Sequence, residues 1–447
     1  MGGNTLDTLE SKSEQSVSTK QQRIATNARN LPNASLCALA HHVDLYWLYE
    51  AFLRTRKDGA PGIDNQSAQE YEANLGKNLK NLLELFKSGK YRAPAVRRVY
   101  IPKAGSEEKR PIGVPTFEDK VLQRAVLMLL EPIYENEFYS SSYGFRPGKS
   151  AHDALEALWK GLMDLKGGWL IDLDISKFFD TLDHGKLRQI LKQRVCDGVV
   201  TRTIDKWLNA GVMEAGCMSY TERGTPQGGV ISPMLSNIYL HEVLDRWFAQ
   251  VVRPRLKGQA FLIRFADDAV IVCQLKQDAE RILGVLPKRF EKYGLRVHPE
   301  KTRLVEFRPP SGDERKGTGV FSFLGFKHFW MRSRRKRWVV GRKTDGVRFR
   351  RSLKEISKWC RANMHRPVTE QHEMLSRKLR GHYGYYGITF NFSSLKRFRC
   401  LVEKVWFGWL LRRSSKTTLN WDRFRDYLRR APLPFPSVVH SGCVANP

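Results

Sequence analysis

The chain has 447 residues, 41% of them hydrophobic, with 76 Lys and Arg against 46 Asp and Glu for a formal charge of +30. That length allows two or three subdomains with sizeable cores, and the charge points to a polyanionic partner. The longest apolar runs, such as Val126-Leu-Met-Leu-Leu130, are far too short for a membrane span, and with a polar N-terminus no secretory signal is expected.

The excess charge is uneven. Residues 301–447 carry 34 Lys and Arg against 10 Asp and Glu, a net of +24, so the first 300 residues hold only +6. A basic tail can also bind anionic membrane, but here the cations are interleaved with aromatics along helical stretches, which favours nucleic acid. Seven Cys stand singly at 37, 196, 217, 273, 360, 400 and 443 without metal-ligand spacing. They read as reduced thiols of a cytoplasmic protein.

Residues 1–35 are polar, lack periodicity and are predicted to be disordered. Arg97–Lys103 and Lys109–Val114 read as two strands of a hairpin around the polar turn 104–108, and Thr116-Phe-Glu-Asp119 as the cap of a helix running through Leu130. Trp169-Leu-Ile-Asp-Leu-Asp174 is a short apolar strand punctuated by acid, with a helix predicted over 185–195. Asp174 stands where the chain leaves the sheet. Asp172, Asp180 and Asp183 read as surface or capping acids. Gly224-Thr-Pro-Gln-Gly-Gly229 is a glycine-rich turn before a helix that Ser232 can cap, with Pro233 in its first turn.

Phe261-Leu-Ile-Arg-Phe-Ala-Asp-Asp-Ala-Val-Ile-Val-Cys273 reads as a tight hairpin with Asp267 and Asp268 at its junction. Two like charges about 4 Å apart repel by roughly 4 kcal/mol at an effective dielectric of 20. Solvation of the turn or a divalent cation between the carboxylates relieves that cost. Alone, this is an ordinary Asp-containing turn. With the acid strand ending at Asp174 it makes a candidate two-Mg2+ site, because Mg2+ takes few carboxylates and completes its shell with water and phosphate. Further on lie a basic ribbon, Arg332-Ser-Arg-Arg-Lys-Arg337, and two aromatic and basic stretches, Ser376–Gly387 and Phe398–Arg413. Pro432, Pro434 and Pro436 exclude a regular helix at the end.

Seven short blocks in order carry a resemblance. They are Gly59-Ala-Pro-Gly-Ile-Asp64, Lys109-Arg-Pro-Ile-Gly-Val-Pro115, Tyr143-Gly-Phe-Arg-Pro-Gly148, the Asp174 block, Gly224–Pro233, Phe265-Ala-Asp-Asp268 and Phe323-Leu-Gly-Phe326. Together they resemble the reverse transcriptase/maturase proteins encoded by bacterial group II introns. The resemblance implies an α+β right-hand polymerase, with an antiparallel sheet in fingers (36–165) and palm (166–330). A helical thumb/maturase region (331–413) and a tail (414–447) would follow.

It implies catalytic carboxylates at Asp174, Asp267 and Asp268, with the Ile175 carbonyl assisting them on two Mg2+ ions. Lys103, Arg110, Gln227 and Gly228 would meet the dNTP. Phe179, five residues after Asp174, would exclude a 2′-hydroxyl, unless it is a core aromatic like Phe178. Lys301 matches a lysine proposed to protonate pyrophosphate, and equally suits a static phosphate contact. Phe265 stands where Tyr is commoner. Arg146, Lys149, Arg377, Lys378, Arg380, Arg412 and Arg413 would bind nucleic acid, while the nearby aromatics pack a bundle.

The implied partners are group II intron RNA, a DNA primer or target and dNTPs; no membrane is expected, and the oligomeric state stays open. Nothing in the chain could build the zinc-stabilised endonuclease domain of many relatives, so a host nick or replication fork would supply the primer. Two other readings remain. One is an RNA-binding splicing cofactor with an idle polymerase; the other is a domesticated reverse transcriptase in antiviral defence.

Overall fold

The computed structural model describes residues 3–102, 109–214, 217–219, 228–310, 319–413 and 419–440. It divides into two compact units, one of Met1–Ala154 with Ile171–Leu304, the other of Leu155–Leu170 with Val305–Pro447. The division joins the expected fingers to most of the expected palm.

The strands, in chain order, are β1 (Val96–Pro102), β2 (Lys109–Val114), β3 (Gly168–Leu173), β4 (Val212–Glu214), β5 (Cys217–Ser219), β6 (Ala260–Phe265), β7 (Asp268–Cys273), β8 (Arg303–Phe307), β9 (Phe321–Phe323), β10 (Phe326–Arg332) and β11 (Trp338–Thr344). They form three sheets with the orders β2-β1-β4-β5, β6-β7-β3-β8 and β11-β10-β9. With helices throughout, this is the α+β class. The expected fingers hairpin is present, with β1 antiparallel to β2 from Arg97 opposite Val114 to Pro102 opposite Lys109.

In the first unit the helix Phe117–Tyr134 is the central core element. Thr116 caps it by accepting from the Asp119 N–H at 3.2 Å. Val121, Leu122, Ala125, Val126, Leu129 and Leu130 are all buried. It runs four residues beyond the expected end, through Pro132 to Tyr134.

Two expectations are corrected here. Most of the polar N-terminal segment is not disordered: Gly3–Asn30 is a helix. Val17, Ile24 and Ala28 form a narrow buried stripe, and Gln21 donates to the Met128 carbonyl at 3.0 Å. Three apolar positions spaced seven and four apart are helix periodicity, masked by polar residues on the remaining faces. Nor are the thiols all unpaired. Cys37 and Cys196 form a disulfide beside an isolated bridge between Leu36 and Val195, with Cα atoms 4.6 Å apart. A separation of 159 residues hides such a partner from any local spacing rule.

The second unit is largely helical, with Gly346–Ala362, Val368–Tyr386, Phe392–Leu411 and Trp421–Arg430. The last falls within the expected tail and ends before the proline-rich stretch. Leu379, Tyr383, Val402 and Trp406 are buried together, and Val405, Trp409 and Tyr386 pack against them. The aromatics therefore build the bundle, as expected from the sequence. No helix among the described residues is long and apolar enough to cross a membrane.

Candidate active site

The hairpin β6–β7 is antiparallel, with Phe265 opposite Asp268. Its two-residue turn is Ala266-Asp267, one position earlier than the Asp pair suggested, so Asp268 begins β7. Ala266 adopts the left-handed conformation at φ 55°. Asp267 is half-buried at the tip and Asp268 exposed.

Asp174 follows β3, which lies next to β7 in the sheet. The segment 297–302 cradles it. The His298 N–H donates to the Asp174 carbonyl at 2.8 Å, and the Asp174 N–H donates to Thr302 Oγ1 at 3.2 Å. Lys301 Nζ lies 3.9 Å from the Asp174 carboxylate. Ile175 is buried and bridges Val297.

Burial pushes the Asp267 carboxyl above the usual range; Arg110 pulls the other way, and the Asp174 charge adds to the rise. Gly228 lies against β2, the strand that carries Arg110. Its φ is 119°, and a Cβ there would stand 2.6 Å from the Gly113 carbonyl oxygen and from Ile112 Cγ2. Only glycine lets this loop lie against β2. Lys103 and Gln227 lie outside the described residues.

Phe179 is half-buried while Phe178 is buried, their ring centroids 5.3 Å apart. Asp172 pairs with Arg303 at 3.0 Å, and Asp183 caps the helix His184–Lys192 through the Lys186 N–H. Asp183 has the capping role expected of it, whereas Asp172 is a half-buried strand acid held in an ion pair rather than a surface or capping one. Ser232 does not cap its helix: it is the first helical residue, and the preceding Ile231 N–H donates to Gln123 Oε1 at 3.3 Å.

Arg146 is turned inward rather than toward nucleic acid. It is 8% exposed, holds Glu135 at 2.8 Å and donates to the carbonyls of Tyr139 and Ser142, both at 2.7 Å. Its guanidinium thus braces the loop 139–146. Phe145, next to it, is exposed at φ 55°, with its ring centroid 6.4 Å from that of Phe265. Lys149 is exposed, 5.7 Å from the Tyr143 ring.

The residue most easily overlooked is Arg264, fully buried two positions before the turn. All five of its N–H donors are used. Nε and Nη2 reach the Asp245 carboxylate at 2.8 and 2.6 Å, and Nη2 also reaches Ser142 Oγ at 2.7 Å. Nη1 donates to Asn237 Oδ1 at 2.9 Å and to the Ala266 carbonyl at 3.0 Å. That last bond fixes the peptide leading into Asp267. The signal was present in the sequence: an arginine inside an apolar strand must bring buried acceptors with it.

In the second unit Arg377, Arg380, Arg412 and Arg413 are exposed, as is Lys378, whose ammonium lies 5.7 Å from the Trp359 ring centroid. Arg377 pairs with Glu373 at 3.3 Å, and Arg412 lies over Trp409 at 4.9 Å.

No cluster of three or more His, Cys, Asp or Glu side chains able to hold a metal ion occurs among the described residues. The oxygen-only pair Asp174 and Asp267 nevertheless fits Mg2+, which needs one or two carboxylates when substrate phosphate completes its shell. The family model for reverse transcriptase (RNA-dependent DNA polymerase) matches residues 101–328, just over half of the chain.

The chain is a reverse transcriptase.

This reverse transcriptase is 33% identical to Protein YkfC of Escherichia coli over 355 residues, which cover 71% of the chain and 90% of that protein. It is 37% identical to Group II intron-encoded protein LtrA of Lactococcus lactis over 209 residues, 46% of the chain and 34% of that protein. Nuclear intron maturase 2 of Arabidopsis thaliana is 30% identical over 182 residues, covering 31% of the chain and 24% of that protein. The reverse transcriptase belongs to the group II intron reverse transcriptase/maturase family, and its activity is RNA-directed DNA polymerisation.

Proposed function

We propose that the enzyme copies group II intron RNA into DNA using two Mg2+ ions, and that it binds the intron RNA to assist splicing and mobility. The observation that supports the polymerase site is that Asp174 follows β3 and Asp267 sits in the β6–β7 turn, with β3 and β7 neighbours in one sheet. The first unit acts as fingers and palm, and the second as a thumb and RNA-binding region.

Asp174 and Asp267, with Asp268 and the Ile175 carbonyl, would hold the metal. When bound, Mg2+ supplies activation of the primer 3′-hydroxyl and charge stabilisation at the leaving pyrophosphate. Arg110 offsets triphosphate charge from the fingers hairpin, joined by Lys103. Gly228 brings backbone close to the nucleotide, with Gln227 beside it. The half-buried Phe179 ring borders the sugar and leaves no room for a 2′-hydroxyl, making dNTP the monomer. Lys301, close to Asp174, would protonate the departing pyrophosphate or hold it as a fixed cation. Lys149, Arg377, Lys378, Arg380, Arg412 and Arg413 would contact RNA phosphates.

Primer extension on an RNA template with Asp267→Ala tests this reading. DNA synthesis should vanish while intron RNA affinity stays within a few-fold. Loss of both together would break the separation of catalysis from RNA binding. Failure of the unaltered protein to incorporate dNTP with Mg2+ would leave an RNA-binding splicing cofactor.

A further inference from the structure

One element of the second unit has no part in the site above. The hairpin β10–β11 pairs Phe326 with Thr344 through Arg332 with Trp338. Across residues 326–344 there are eight Lys and Arg and no Asp or Glu. One of the eight, Arg342, is buried and lies 3.7 Å from Glu156. The other seven cluster at the tip and on the outward face.

The tip is a closed turn, with the Ser333 N–H donating to the Arg337 carbonyl at 2.8 Å and the Lys336 N–H to the Ser333 carbonyl at 2.9 Å. Lys336 sits at φ 59°, and Arg334, Arg335, Lys336 and Arg337 are all exposed. No ion pair is formed by these four among the described residues. Four like charges on one ordered turn repel each other, and a polyanion relieves that repulsion.

Lys327, Phe329 and Met331 alternate onto the outward face, with Lys343 directly opposite Lys327. Phe329 is half-buried and lies across Gly341: a Cβ there would stand 3.0 Å from the ring and 2.6 Å from the Met331 sulfur. The Lys343 ammonium is 5.0 Å from the Phe329 ring centroid. Charges on an edge strand also discourage unwanted strand pairing. That role requires neither an aromatic ring lying over a glycine nor a charged tip.

We infer that this ribbon is a binding site for single-stranded RNA, with phosphates on the tip cations and one unstacked base on Phe329. It rests on the RNA-binding reading of the second unit and assigns part of that binding to a new element. A single strand is favoured because duplex bases are stacked away from such a ring, whereas unpaired bases stack on aromatics beside cations.

The test uses the full-length protein, a fluorescent unstructured RNA oligonucleotide of about 20 nucleotides and a salt titration. Replacing Arg334, Arg335, Lys336 and Arg337 by Gln should make the slope of log affinity against log salt shallower by about 0.7 per lost phosphate contact, roughly 2–3 in all. Phe329→Leu should weaken the single strand about fivefold or more without changing the slope, since it removes stacking and no charge. Binding of an RNA duplex should be unaffected by Phe329→Leu. Melting temperatures of both variants should match the parent, and a single Arg335→Gln change, with an expected slope change near 0.7, replaces the quadruple variant if that one melts early. An unchanged slope in the tip variants overturns the proposal, as does equal weakening of single strand and duplex by Phe329→Leu. If the ribbon variants bind normally while Arg377→Glu with Arg380→Glu does not, this assignment fails and the broader RNA-binding reading stands.

Discussion

Arg264→Lys should slow catalysis far more than it weakens binding. Lysine brings three N–H donors from one nitrogen in place of five spread over a planar fork. Of the four groups Arg264 holds, the Asp245 carboxylate is the acceptor lysine can keep. With one donor spent on Asp245, at least one of Ser142 Oγ, Asn237 Oδ1 and the Ala266 carbonyl loses its donor, and the Ala266 carbonyl, bonded from Nη1 rather than from the Asp245 side of the fork, is the one expected to go. Each buried acceptor left unmade costs about 1–3 kcal/mol, so a loss of about 1–3 kcal/mol is expected for one such acceptor. Removing the charge altogether with Arg264→Ala would strand a fully buried Asp245 and cost at least the ~3–5 kcal/mol of a broken buried pair.

The lost bond to the Ala266 carbonyl frees the turn carrying Asp267. A displacement near 1 Å at a reacting centre is worth about 100-fold in rate. Thermal melting, steady-state primer extension and RNA affinity measured on the same Arg264→Lys preparation separate the effects. The expected result is a melting point several degrees lower, kcat down about 100-fold, and KM for dNTP and RNA affinity within a few-fold. Full parental kcat at a temperature well below the variant's melting point would refute the positioning role and leave Arg264 a purely stabilising residue.

Phe179→Ala should admit ribonucleotides, lowering discrimination against rNTP by about tenfold to a hundredfold in single-nucleotide incorporation assays; unchanged discrimination would make Phe179 a packing residue. Gly228→Ala should raise the KM for dNTP and cost about 1–3 kcal/mol of stability, because the new methyl meets β2 and the backbone is strained. A parental KM would show that this loop does not touch substrate. Burial pushes the His328 imidazole down to about 3, with Arg342 adding to the fall, and its ring stacks on Phe321. The depressed value contributes stability that is present above the unfolded pKa near 6.5 and is lost as pH falls toward 3. By pH 5 the loss from this residue should be about 2 kcal/mol. His328→Phe keeps the stack, so its melting point should fall less steeply between pH 7.5 and 5; identical slopes would remove His328 from the acid response.

The two acid-bearing strands, the fingers hairpin and the helical bundle were legible because each has a local signature: apolar runs, turn chemistry or helical periodicity. What sequence reading missed is non-local. The Cys37–Cys196 disulfide joins residues 159 apart. Arg146 has the composition of a phosphate contact, and only its neighbours Glu135, Tyr139 and Ser142 turn it inward. The N-terminal helix was hidden because its buried apolar stripe is only Val17, Ile24 and Ala28, with polar contacts from Ser13, Lys20 and Gln21 helping to dock it. Ser232 looked like a cap, but its helix begins at that residue and the cap position falls on Ile231. Arg264 was visible as a charge in an apolar strand, yet its partners come from three separate segments.

Gly144 is pressed against the same turn from outside, where a Cβ would stand 2.2 Å from the Ala266 N–H nitrogen. Asn237 ties down that glycine by donating to its carbonyl at 2.7 Å while also accepting from Arg264. The acid-bearing loop is therefore moulded by Gly144 and Asn237, two parts of the chain 93 residues apart. Transplanting the hairpin into another scaffold would carry over its carboxylates without the mould that shapes them. Drift in residues 141–146 would register as altered chemistry through the shape of the acid-bearing turn.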